Sequence, residues 1–347
     1  MNEAVSSRAG EPSRAYLDFN ENPLGPSPQA IAAVASAARD LHRYPRDAAS
    51  RVSELLARFY GVSLDRILLV NGVDEAIDLA LGLVDSAWTV RPGFDAYSHR
   101  AEVLGKKVRR IVLDDRFEPS CDPEELASGG VVFLAQPHNP TGNFFSPSWM
   151  DAAAASAELV FLDETYIEFS DRDSLMPSVS DDNNANLLIF RSFSKVYGLA
   201  GIRLGVLVGS PRRIASLRER QRFHSVDSVA LHAAEGTLSD LEHIARSQAH
   251  VAAMRPQYRA CVANSRLFED APPTQASFVI GKCREGLDGG RLTAALRDLG
   301  VEVKDCAPMG MPDWIRFSIG TEQDLSLLEW ALAAATVQFD ASVGSSR

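Results

Sequence analysis

Phe190-Arg-Ser192-Phe-Ser194-Lys195-Val-Tyr-Gly-Leu-Ala-Gly-Ile-Arg203-Leu-Gly205 is the stretch that decides how this chain is read. It leaves an apolar run at Phe190, sets a lysine beside hydroxyl residues, and passes through glycines to an arginine eight positions further on. A lysine amine can form a Schiff base with an aldehyde, while Ser192, Ser194 and Arg203 can bind a phosphate carried by the same molecule. The segment therefore reads as a covalent anchor for pyridoxal phosphate. Standing alone, it would fit an exposed loop lysine beside an unrelated serine pair better.

Three upstream segments give it company. Val160-Phe-Leu-Asp163-Glu-Thr-Tyr166 is an apolar strand ending in an aspartate, with a tyrosine three residues later, at the edge where ligands sit in open α/β sheets. An aspartate there can keep a pyridine nitrogen protonated, and Tyr166 can hydrogen-bond the ring's phenolic oxygen. A lone strand-end aspartate is more often a helix cap, and the spacing to Lys195 favours the chemical role. Gln136-Pro-His-Asn139-Pro-Thr-Gly142 follows another apolar run, and its prolines and glycine make a rigid turn that aims the Asn139 amide. Val70-Asn-Gly72-Val73-Asp74-Glu75 reads as strand, glycine turn and helix start, whose free amides and dipole suit a phosphate.

Outward from these motifs the chain alternates helix-period segments with short β-branched runs. The runs are Arg66 to Val70, Val108 to Leu113, Val131 to Leu134, Leu159 to Leu162, Asn186 to Phe190 and Leu204 to Val208. Such alternation predicts an α/β fold, a mostly parallel sheet with helices on both faces. Pro28 to Tyr44 carries Ile31, Val34, Ala38 and Leu41 at helical spacing behind Ser27, and reads as a helix. Beyond Ser239 the rhythm changes to one long helical stretch, Asp240 to Phe268, then strands near Phe278 to Ile280, Val301 to Lys304 and Ile315 to Ser318. That change predicts a large cofactor-binding domain over 45–240, and a smaller α+β domain made of 1–44 plus 241–347.

Composition sets the outer bounds. The 347 residues are 46% hydrophobic and 23% charged, as in an ordinary globular protein. A formal net charge of −11 opposes non-specific binding to nucleic acid or to an anionic membrane surface, which leaves small molecules as the expected partners. No apolar run approaches the roughly 20 residues of a membrane helix. Met1 to Ser13 lacks an apolar core, so neither a signal peptide nor a transit peptide is expected, and the cytoplasm is the expected compartment. Cys121, Cys261, Cys283 and Cys306 are scattered without a metal-ligand spacing, and read as reduced structural residues with no metal site. Ser342 to Arg347 reads as a frayed tail.

Taken together and in this order, the motifs resemble fold-type I pyridoxal-phosphate enzymes. Within them they resemble class I/II aminotransferases, most nearly the histidinol-phosphate aminotransferase group. The likeness also takes in Asp18-Phe-Asn-Glu-Asn-Pro-Leu-Gly-Pro, Arg43-Tyr-Pro and Ile315-Arg316-Phe-Ser-Ile-Gly-Thr. It implies an amino-acid biosynthetic transaminase with pyridoxal 5'-phosphate on Lys195, Asp163 on the ring nitrogen, and Tyr166 and Asn139 on the phenolic oxygen. Phe94 would stack on the ring, and Gly72, Val73, Asp74, Ser192, Ser194 and Arg203 would hold the phosphate. Tyr44 would reach the phosphate of a neighbouring subunit, which implies a homodimer with shared sites. Arg316 would hold the anion of an amine donor, which transfers its amino group to a 2-oxo acid, and Asn22 would line the same pocket.

Three positions depart from the group. A second arginine is usual where Gly300-Val-Glu-Val-Lys304-Asp305 stands, a Pro-Tyr/Phe-Asn-Val segment where Arg222-Phe-His224-Ser-Val-Asp227 stands, and a small residue where Val73 stands. A lysine presents a point charge, not a fork; the first two departures alter the expected substrate pocket, while main-chain phosphate contacts survive the third. Two other readings share the motifs: a decarboxylase or cyclising lyase resembling the threonine-phosphate decarboxylases, and a non-catalytic sensor module with the same cofactor site.

Overall fold

The computed structural model describes residues 14–180 and 184–344. The readings of Met1 to Ser13 and of the last three residues lie outside the described residues. The chain opens with strand β1 (Ala15–Leu17) and helices α1 (Pro28–Ala37) and α2 (Ala48–Tyr60). There follow β2 (Ile67–Val70), α3 (Gly72–Leu81), β3 (Ser86–Arg91), α4 (Asp95–Val103), β4 (Lys107–Val112), β5 (Val131–Ala135) and α5 (Pro147–Ser156). Next come β6 (Leu159–Asp163), β7 (Leu187–Ser192), β8 (Gly205–Gly209), α6 (Pro211–Arg218) and α7 (Ser228–Leu238). The C-terminal part holds α8 (Leu241–Asn264), β9 (Phe268–Asp270), β10 (Phe278–Cys283), α9 (Gly289–Asp298), β11 (Val301–Asp305), β12 (Trp314–Ser318) and α10 (Glu322–Gly344). Helix α10 thus carries regular structure through the expected tail as far as Gly344.

Seven strands form one sheet in the order β2-β8-β7-β6-β5-β3-β4, parallel throughout except for the reversed β8. Strands β2, β5, β6, β7 and β8 are buried along their whole length, which is why they read as continuous apolar runs and not as alternating ones. Their side chains alternate between two cores. Val132, Leu134, Val160, Leu162 and Ile189 pack on one face with α2, α5 and α7. Val131, Phe133, Leu159, Phe161, Leu188 and Phe190 pack on the other face with α3, α4 and α6. Truncating any of these large side chains to alanine costs on the order of 2–5 kcal/mol.

A second sheet, β1-β11-β12-β10-β9, unites the N-terminal strand with the C-terminal ones. Strand β1 pairs parallel to β11, Ala15 opposite Val301. Helix α1 is capped by Ser27 Oγ, which accepts from Ala30 N at 3.0 Å. It ends at Ala37 and tightens into a 3₁₀ turn over Ala38–Asp40, short of the expected Tyr44. Three strands lay outside the sequence reading: β3 in the large sheet, the three-residue β1, and β9, whose Phe268 was expected to close the long helix that ends at Asn264.

Strand direction fixes where the site falls. Ala135 of β5 pairs with Asp163 of β6, which pairs with Phe190 of β7, so three parallel carboxyl ends lie side by side. Because β8 is reversed, its start at Gly205 pairs with Ser192 and with Val70, bringing Arg203 and the start of α3 to the same edge. From the small sheet, Arg316 of β12 sits between Ile280 and Lys304 on its neighbouring strands.

Candidate active site

A cavity of about 500 Å³ opens at that edge. Of the residues expected at the site, Val73, Phe94, Asn139, Asp163, Tyr166, Ser192, Ser194, Lys195, Arg203 and Arg316 all line it. Lys195 extends from the turn after β7 and donates from Nζ to the carbonyl of Phe19 at 2.7 Å. Burial, with the Arg316 cation adding to it, pulls its amine down to about 8 from the ordinary 10.5. The chain has five lysines, and among them only Lys195 and Lys304 line the cavity.

Asp163 is buried, and both its oxygens are engaged. Thr165 N donates to Oδ1 at 2.9 Å and the Tyr97 hydroxyl to Oδ2 at 2.6 Å. Burial raises its titration, while those donors and the Lys195 charge oppose the rise. Tyr166 accepts from Asn20 Nδ2 at 2.9 Å, and burial raises its phenol. Arg316 donates from Nη1 to Asn139 Oδ1 at 2.6 Å and from Nη2 to the Asp18 carbonyl at 2.7 Å. The hold on Oδ1 leaves Nδ2 as the remaining hydrogen-bonding end of Asn139. Arg316 Nε is buried without a hydrogen-bond partner among the described residues.

The phosphate-binding candidates of this cavity gather at the start of α3. Gly72 opens α3 with φ +69°, and a Cβ placed there would stand 2.9 Å from Arg203 Nη2. Side-chain-free backbone at that point lets Arg203 close over the helix start. Arg203 reaches Ser194 Oγ at 3.4 Å and Asp74 Oδ2 at 3.3 Å, and Ser192 Oγ accepts from Ser194 N at 3.1 Å. Phe94, just before α4, meets the Tyr97 ring edge-on at 5.3 Å. Ala135 also lines the cavity.

One expectation differs from the structure. Asn22 does not line the cavity: its Nδ2 donates to the Val196 carbonyl and Ser247 Oγ, and its Oδ1 accepts from Leu24 N, so it shapes the loop. Asn20, two residues earlier, takes the place near the site. Its φ of 54° is a left-handed conformation that asparagine tolerates, and Ser318 Oγ holds both its N–H and its Oδ1. Tyr44 is 77% exposed, stacks on His224 at 4.9 Å, and does not reach the cavity of its own chain. Asn20, Tyr97, Thr165, Ala135 and Phe19 are among the neighbours that sequence reasoning left without a role. The only signal for Asn20 was its place in Asp18-Phe-Asn-Glu-Asn-Pro.

This donor set fits a phosphorylated pyridine aldehyde. One cavity offers an amine of lowered pKa, a buried carboxylate, a phenol with an amide beside it, and a closed helix start with two serines and an arginine. The fold and the site together define a fold-type I pyridoxal-phosphate enzyme. The profile of the family aminotransferase class I and II matches residues 15–329, and the chain belongs to that family. It is 35% identical over 333 residues to a histidinol-phosphate aminotransferase of Symbiobacterium thermophilum, covering 92% of this chain and 90% of that protein. A histidinol-phosphate aminotransferase from Sinorhizobium meliloti, solved in complex with pyridoxal-5'-phosphate, superposes with a TM-score of 0.80 at 26% identity, covering 92% of this chain and 89% of that one. L-threonine-O-3-phosphate decarboxylase from Porphyromonas gingivalis shares the fold, with a TM-score of 0.81 at 16% identity over 93% of this chain and 99% of that one. The chain is a pyridoxal-phosphate-dependent transaminase. Among the described residues no helix is long and apolar enough to cross a membrane, and no cluster of His, Cys, Asp and Glu could hold a metal.

Proposed function

We propose that this aminotransferase takes the amino group of a small donor bearing an anion, histidinol phosphate or an amino acid, and passes it to a 2-oxo acid. The observation that carries the reading is the meeting of Lys195, Asp163, Asn139, Tyr166 and Arg316 in one cavity. The names of its relatives point to histidinol phosphate as donor.

Bound pyridoxal phosphate supplies an aldehyde that takes up the donor's amino group and a ring that accepts the electron pair left at Cα. Lys195 anchors the cofactor and, once freed, its Nζ takes the proton from the donor's Cα and passes it on. A pKa of about 8 keeps part of that amine unprotonated at neutral pH. Asp163 holds the proton on the ring nitrogen, and Asn139 and Tyr166 hold the phenolic oxygen. Gly72, Val73 and Asp74 at the start of α3, with Ser192, Ser194 and Arg203, take the phosphate. Arg316 takes the donor's anion, exchanging the Asn139 and Asp18 oxygens for it. Lys304 lies on the same cavity wall, its charge felt by the half-buried Asp95.

The working form is a cytoplasmic homodimer, with a cofactor domain over 45–240 and a small domain of 1–44 plus 241–347. Tyr44 serves the second copy's phosphate. Its exposed ring stacks on His224, whose chain neighbour Phe223 is 97% exposed. The reading is tested by mixing the cofactor-loaded protein with single amine donors and no acceptor, following absorbance, and identifying products by mass. A stoichiometric oxo product with the cofactor left as pyridoxamine phosphate supports it. Carbon dioxide or a cyclised product overturns it.

A further inference from the structure

Tyr97 enters the site from α4, a helix that packs on the large sheet and against α3. Its ring is buried, stacked on Phe133 at 4.9 Å and 8°, and edge-on to Phe94 at 5.3 Å and 86°. This clamp leaves its hydroxyl one destination, Asp163 Oδ2 at 2.6 Å. Around the pair lie Phe133, Phe161 and Phe190, whose rings stack or tilt against one another. A carboxylate in such surroundings is costly unless donors reach it.

We propose that Tyr97 is the positioning residue that keeps Asp163 ionised and aimed at the cofactor ring. The inference rests on the assignment of Asp163 to the ring nitrogen. Of the two oxygens, Oδ1 accepts from the Thr165 backbone N–H, and the Thr165 side chain adds a hydrogen bond to the same carboxylate. Oδ2 accepts from the Tyr97 hydroxyl, brought in from a different element. Burial and the neighbouring carboxylate push the Tyr97 phenol well above its ordinary value, so the hydroxyl keeps its proton and acts only as donor. The other titratable groups facing Asp163 are Lys195 after β7 and Tyr166 after β6. The same ring also supports Phe94, so Tyr97 joins two groups proposed to contact the cofactor.

The test is a carbon-13 NMR titration of aspartate carboxyls in the cofactor-free protein, with the Asp163 signal assigned by its loss in Asp163→Asn. In Tyr97→Phe, which deletes one oxygen and keeps the stacked ring, Asp163 should titrate about one to two pH units higher, a ten- to hundredfold rise in proton affinity. The acid limb of kcat in the loaded enzyme should move up with it, while KM for the donor stays near the wild-type value. Phe133→Leu, which loosens the ring stack but keeps the hydroxyl, should move the titration less. An unchanged Asp163 titration, or equal changes in Tyr97→Phe and Phe133→Leu, overturns the inference. Full turnover by Asp163→Asn overturns the assignment of Asp163 on which it rests.

Discussion

The amine of Lys195 gives a quantitative prediction. With a pKa of about 8 in place of 10.5, about one Lys195 in ten is unprotonated at pH 7, against roughly three in ten thousand for an ordinary lysine. Only the unprotonated amine attacks an aldehyde. Capture of pyridoxal phosphate by the cofactor-free protein should therefore speed up about tenfold from pH 7 to pH 9 and then level off, with its midpoint near 8. An ordinary lysine would gain about a hundredfold over the same range and still be rising. Arg316→Gln, which removes a cation that lowers the pKa, should move the midpoint up, and Asp163→Asn, which removes an anion that raises it, should move it down. The folded pKa lies below the unfolded one, so the unfolded chain binds the extra proton between about pH 8 and 10.5. The cofactor-free protein should gain stability from this group as pH rises through that window and lose it as pH falls. Rapid-mixing absorbance measures the capture rates. A rate that climbs without a plateau to pH 10 would refute the burial argument, and a midpoint unmoved in Arg316→Gln would refute the part given to that charge.

Gly72→Ala should cost about 1–2 kcal/mol for a left-handed φ, and should weaken cofactor binding, because the new Cβ stands 2.9 Å from Arg203 Nη2. Thermal denaturation and equilibrium dialysis check the two effects, and an unchanged dissociation constant would remove Arg203 from the phosphate site. Arg316→Leu should raise KM for the donor about ten- to a hundredfold, the loss expected for hydrogen bonds to a charged group. Steady-state kinetics with the best donor measures it, and an unchanged KM would place the anion elsewhere. Mixing Tyr44→Phe with Lys195→Ala protein should restore activity, since a hybrid dimer holds one site free of both changes. No recovery in mixtures shown to contain hybrids would argue against shared sites.

Legibility in the sequence followed the physics of each element. Strands β2, β5, β6, β7 and β8 are buried on both faces, so their apolar runs were visible with bounds off by one or two residues. Strand β3, Ser86-Ala-Trp-Thr-Val-Arg91, mixes polar and apolar residues within six positions, and its identity comes from pairing with β4 and β5 on either side. Strand β1 is three residues long, and only the distant β11 makes it a strand. At the site, residues on strand ends and in tight βα turns were legible because the chemistry and the backbone signal coincide there. Asn20 and Tyr97 were not, since each meets its partner more than sixty residues away, and no local pattern reports such a contact. Asn22 misled for the same reason: a loop asparagine and a ligand asparagine look alike until their partners are known.

Borohydride reduction of the pyridoxal-phosphate-loaded protein, followed by peptide mass spectrometry, puts the central assignment to its most direct test. The reduced pyridoxyl mass should lie on Lys195 alone, with Lys106, Lys107, Lys282 and Lys304 unmodified, and should vanish in Lys195→Ala. A label on Lys304, the other lysine of the cavity, or an undiminished label in Lys195→Ala, would contradict it.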